Sequence, residues 1–142
     1  MIAYVGKMCI AKLGISQRME SSFGMNTQVK GGLGEALAAE HLEKNGFKIL
    51  ERNWTFGRLE IDIIASKDDF LAFVEVKLRS SDHYGSPWQN VGPQKQRRLI
   101  RAAHYYIQKK NWGGDSRFDI VSIVGGENNH QIQHIEGAFY PV

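Results

Sequence analysis

The chain has 142 residues, 42% of them hydrophobic and 23% charged, which suits one ordinary domain built around a single core. Lys and Arg total 18 against 15 Asp and Glu, and the resulting +3 permits an anionic partner without demanding one. One cysteine, Cys9, excludes an internal disulfide and a cysteine-based zinc site, no apolar run reaches the ~18 residues of a membrane span, and the N-terminus lacks the order of a signal peptide, so a cytoplasmic protein with no membrane partner is expected.

Residues 1–24 show no clean helical or strand period and end in a Ser/Gly cluster. They read as an N-terminal extension, disordered or the product of a start codon assigned too early, with an ordered accessory helix as the alternative. Residues 25–142 read as one domain. GLGEALAAEHLEKNGF predicts a helix over 32–45, stopped by Gly46 in a left-handed cap. Segments rich in β-branched and aromatic residues at 47–54, 58–66 and 70–78 predict three strands, and the short links TFG and KDD make an antiparallel meander. The loop SSDHYGSPWQNVG leads into a helix over 93–110, whose Leu99, Ile100, Ala103, Tyr106 and Ile107 form an apolar stripe ended by the Gly113–Asp115 turn. Strands over 117–125 and 131–142 complete the order αβββαββ, an α/β mixed sheet flanked by helices.

Charges inside two of these strands carry the chemical argument. In FVEVK, Phe73, Glu75 and Lys77 point to one side while Val74 and Val76 point to the other. In LEIDII, Glu60 and Asp62 share a face opposite Leu59, Ile61 and Ile63. A charge within a sheet is costly unless paired or bound to a metal, and a hairpin through KDD brings the two charged faces to the same side. On the first helix, at 100° per residue, Glu35 aligns with Ala38, Ala39 and Leu42, toward the sheet, while Glu40, Glu43 and Lys44 face solvent. Mg²⁺ or Mn²⁺ prefers carboxylate and water oxygens, so Asp62 and Glu75 are expected to hold such an ion, with Glu35 holding it directly or through water. Lys77 would position or deprotonate an attacking water, or stabilise the charge that develops on a phosphate. Glu60 reads equally as a catalytic acid or as the partner of a basic side chain.

This pattern of a carboxylate helix, an Asp strand and a strand bearing Glu-x-Lys resembles the PD-(D/E)xK nuclease superfamily, with its restriction-endonuclease-like fold. More closely, GGLGEALAAEHLEKNGFKILERNW, LEIDIIA, FVEVKLRS, YGSP and QKQRRLIRAAHYYI resemble, in order, the YraN family of small bacterial nuclease-like proteins, itself similar to archaeal Holliday-junction resolvases. The resemblance covers about residues 28 to 122. It implies Glu35, Asp62, Glu75 and Lys77 as the active-site set, a divalent metal, branched or structured DNA as substrate, and a homodimer, because a junction-cutting enzyme needs two sites. Leu59 departs from the glycine usual in that family before E-I-D and replaces no proposed ligand.

Arg79, Lys95 and Arg98 are the basic residues expected to hold DNA phosphates, whereas Arg97, Lys109 and Lys110 read as an ordinary solvated helix face. Tyr84 and Trp88 lie where a base or sugar could stack, or where a core edge is capped. No histidine is assigned to a metal. Asp119, inside an apolar strand, reads as the structural partner of a helix arginine. Two other readings compete with a nuclease: a nucleic-acid-binding module of the same fold without turnover, and a structural domain whose acids and lysine form a closed ion-pair network.

Overall fold

The computed structural model describes residues 27–80, 91–126 and 128–141. Seven elements follow along them: α1 (Thr27–Lys44), β1 (Lys48–Phe56), β2 (Leu59–Lys67), β3 (Phe70–Arg79), α2 (Pro93–Lys110), β4 (Asp115–Gly125) and β5 (His130–Phe139). The strands form one mixed sheet in the order β1-β2-β3-β4-β5. Neighbours are antiparallel except β3 and β4, which run parallel and are joined through α2. The αβββαββ order and the opening meander therefore hold, and this is an arrangement consistent with an α/β nuclease-like fold. Residues 1–24, His83, Tyr84 and Trp88 lie outside the described residues.

Each helix covers one face of the sheet. Leu99, Ala102, Ala103 and Tyr106 of α2 pack with Ile61, Ile64, Leu71, Phe73, Phe118 and Ile120. Ala38, Ala39 and Leu42 of α1 pack with Ile63, Ala65, Ala72, Val74, Val121 and Ile123. The expected stripe of α2 is thus correct in direction but centred differently: Ala102 is fully buried, while Ile100 and Ile107 are its half-buried margins.

Helix boundaries differ from expectation in two places. α1 begins at Thr27 rather than Gly32 and runs through Gly31 and Gly32, where added Cβ atoms would meet nothing within 4 Å. Its end is as expected. Gly46 sits at φ +85, with Phe47 N–H donating to the Leu42 carbonyl (3.0 Å) and Gly46 N–H to that of Glu43 (3.1 Å), which satisfies the last carbonyls. α2 is stopped by Asn111 at φ 50, ψ 45, not by the glycine turn after it, since asparagine tolerates the left-handed region.

The chief departure is in β2. Ile61 packs on the α2 side and Ile63 on the α1 side, so the two do not share a face and the alternation slips by one residue at Asp62. Asn53, at φ 51, lies between the pairs Arg52↔Ile63 and Trp54↔Ile61, opposite that slip, and the register of β1 on β2 is the same on either side of it. β2 and β3 pair only from Ile63↔Val74 to Lys67↔Phe70. Beyond that point the Val76 N–H donates to Asp62 Oδ2 (2.8 Å), so a side chain takes over where the backbone ladder ends.

Candidate active site

Where β2 and β3 part, a cleft of about 380 Å³ opens, lined by Glu35, Asp62, Glu75, Val76, Lys77 and Leu78 together with Gly31. The four acids and bases expected at the site come from α1, β2 and β3 and all line it. Gly34 explains how α1 gets close enough: a Cβ there would stand 3.2 Å from Leu78 Cβ and 3.6 Å from Val76 Cγ1. The small residue beside Glu35 lets the helix lie against β3 and carries the carboxylate to the cleft wall.

Glu75 is 4% exposed and lies between two ammonium groups. Lys77 Nζ is 2.9 Å from Oε1 and Lys95 Nζ, from α2, is 3.2 Å from Oε2. The Lys95 contact is an ion pair but not a directed hydrogen bond, and Oε2 is a buried acceptor without a hydrogen-bond partner. Burial, followed by the neighbouring Glu75 carboxylate, pushes the Asp62 carboxyl up to about 6, with Glu35 adding a smaller push, while the Val76 N–H and Lys95 pull it down. Two acids are thus held close together at a desolvated point, in a state that added positive charge would relieve.

The donors suit a hard divalent cation that takes one or two carboxylates and completes its shell with water and substrate oxygens. They do not make a closed cage. Among the described residues no group of three or more His, Cys, Asp or Glu is gathered tightly enough to hold a metal ion, so Glu35 shares the cleft without joining Asp62 and Glu75 in a three-acid cluster.

The remaining expected residues separate. Lys95 reaches Glu75. Arg98 instead donates from Nη2 to the Arg58 carbonyl (2.7 Å) and lines a neighbouring groove. Arg79 is half-buried at the end of β3, in register with Val124, outside the cleft lining. Glu60 is exposed, paired in register with Thr55, and also outside the lining.

Asp119 is fully buried and finds its partners within the sheet, not on a helix. Arg117 Nε lies 2.9 Å from its Oδ1, His134 Nε2 2.8 Å from its Oδ2, and the Gly137 N–H donates to Oδ1 at 3.0 Å. Arg117 in turn stacks its guanidinium over Phe70 (4.4 Å) and pairs with Glu136 at 3.1 Å. Sequence pattern missed this arrangement because its partners come from two strands brought side by side by the sheet.

Residues 34–123 match the model of the uncharacterised protein family UPF0102. A UPF0102 protein of Flavobacterium johnsoniae is 49% identical over 114 residues, covering 78% of this chain and 93% of that protein. UPF0102 protein FP2501 of Flavobacterium psychrophilum is 44% identical over 110 residues, covering 78% and 92%. A UPF0102 protein of Myxococcus xanthus is 40% identical over 110 residues, covering 77% and 87%.

Proposed function

The chain belongs to the uncharacterised protein family UPF0102, the YraN family, and from that premise we propose that it is a metal-dependent DNA endonuclease that hydrolyses phosphodiester bonds, with branched or structured DNA as its substrate class. The observation that supports this reading best is the convergence of one acid from each of α1, β2 and β3, with Lys77, on a single cleft. A structural ion pair would not require three elements to direct carboxylates to the same opening.

In this reading Asp62 and Glu75 would hold Mg²⁺ or Mn²⁺, with Glu35 contributing directly or through water. When bound, the ion would lower the pKa of a water and offset charge on the scissile phosphate. Asp62 is fixed for that task by the Val76 N–H, which sets the direction of one carboxylate oxygen. Lys77 is held by Glu75 at 2.9 Å with its side chain 28% exposed, so its ammonium can meet a phosphate oxygen or the attacking water at the cleft mouth. Lys95 and Arg98, on successive turns of α2, would hold backbone phosphates on either side.

The second reading, nucleic-acid binding without turnover, draws on the lack of a three-acid cluster among the described residues and on the two lysines already balancing Glu75. One experiment separates the two. The purified protein is incubated with linear, nicked and four-way-junction DNA, with Mg²⁺, Mn²⁺ or chelator, beside Asp62→Ala and Lys77→Ala variants. Metal-dependent cleavage lost in both variants is the expected result. Cleavage that survives both substitutions would refute the site, and salt-sensitive binding without cleavage would favour the second reading.

A further inference from the structure

A second concavity, about 550 Å³, lies beside the β1–β2 turn and is lined by Phe56, Arg58, Gln94, Arg98, Arg101 and Tyr105, with Gly57 and Leu59 completing it. Its composition differs from that of the acid cleft. Phe56 is 45% exposed and Tyr105 38% exposed, and their rings stack on each other with centroids 4.5 Å apart at 29°. Trp54 lies parallel to Phe56 at 6.3 Å and 8°. Around this platform stand three exposed arginines and, among the described residues that line it, no acidic one. Neither Arg58 nor Arg101 has an acid partner among the described residues, and Arg98 is tied only through one donor to the Arg58 carbonyl.

We infer that this groove binds single-stranded DNA, seating an unpaired base against Phe56 and Tyr105 and the adjoining phosphates on Arg58, Arg98 and Arg101. A base offers its π-face to an aromatic platform only when it is unstacked, and arginine forks match phosphate oxygens two at a time. Three arginines without an acid among the described lining residues give charge complementarity to the DNA backbone rather than to a mixed-charge protein surface. The groove and the cleft share no lining residue, and α2 is what connects them. Arg98 stands three residues, about 4.5 Å of helix rise, from Lys95, whose ammonium touches Glu75. A strand seated in the groove is thereby led toward the carboxylates.

The choice of DNA rests on the proposed function. The inference adds that the preferred substrate carries unpaired nucleotides beside the bond attacked, as at a flap, fork or junction arm.

Fluorescence anisotropy in chelator, where no cleavage can occur, tests the groove independently of the cleft. The probes are labelled oligo-dT of about 12 nucleotides, within the usual span of a single-strand site, and a duplex of equal length. Oligo-dT should bind at least about tenfold more tightly than the duplex. Phe56→Ala and Tyr105→Ala should each weaken it by about 5- to 100-fold, from the stacking of one base, while Tyr105→Phe stays within about twofold. Arg58→Ala and Arg101→Ala should each reduce the salt slope by about one, and being surface changes they keep the test valid if an aromatic variant proves unstable in a thermal melt. Lys109→Ala, on the solvated face of α2 outside the lining, should leave this binding within about twofold. Equal affinity for both DNA forms, wild-type binding by the aromatic variants, or a mononucleotide binding as tightly as the oligomer would each overturn the inference. Loss of cleavage in every assay with this binding intact would instead overturn only the endonuclease reading.

Discussion

Replacing Asp62 with Asn should make the metal-free protein more stable, and the sign follows from its surroundings. In the fold this carboxyl titrates at about 6 against an ordinary 3.8, raised first by burial and then by Glu75. Between those values the native state holds more protons than the unfolded one, so stability falls as pH rises through the window. Above about pH 6 the penalty is fully present, and a shift of about two units corresponds to roughly 3 kcal/mol at most. Asn keeps an oxygen to accept the Val76 N–H, now at 2.8 Å, and removes the charge. Asp62→Asn should therefore gain about 1–3 kcal/mol at pH 8, or roughly 3–10 °C in Tm, with the gain shrinking toward zero as pH falls toward 4. Thermal and urea melts at several pH values read this directly. With Mg²⁺ at 100 times its Kd the wild type should gain about 2.7 kcal/mol that the variant does not, which offsets most or all of that advantage. If Asp62→Asn is less stable than wild type at pH 8, or gains equally at both ends of the range, the two acids are not held in mutual repulsion and the cation argument fails.

Asp119→Ala should cost about 3–5 kcal/mol in urea melts, because it strands Arg117, His134 and the Gly137 N–H around a fully buried position, and folded variant should still bind oligo-dT as wild type does. A cost under about 1 kcal/mol would show that the network contributes little to the fold. Lys95→Met should tighten Mg²⁺ binding several-fold in calorimetry, since it removes the ammonium 3.2 Å from Glu75 Oε2, and should lower the salt slope of DNA binding by about one. Unchanged Mg²⁺ affinity would mean that Lys95 does not compete for that oxygen.

Much of the molecule is legible in the chain because its signals are periodic. The run Ala38, Ala39 and Leu42 reports the buried side of α1 through the 100° step, and Glu35 lies on that same side. Gly46 stops α1 where a left-handed residue is needed, and the apolar run FLAFV marks β3 as buried. What escapes a periodic reading is whatever depends on a partner from elsewhere. Asp119 draws on Arg117 of its own strand and on β5, and the Phe56–Tyr105 stack joins a hairpin end to a helix nearly fifty positions later.

The slip at Asp62 is of another kind, and it bears directly on the site. A strict period of two puts Ile61 and Ile63 together, yet they pack against opposite helices. Keeping the period would have carried the β2–β3 ladder onward, with Val76 N–H bonded to backbone and no gap for a cleft. Interrupting it leaves that donor to the Asp62 carboxylate and opens the space in which Glu35, Glu75 and Lys77 meet. The acid that sequence reading singles out for its charge is thus also the residue at which the sheet ceases to be regular, and the irregularity is what lets acids from both layers reach one opening.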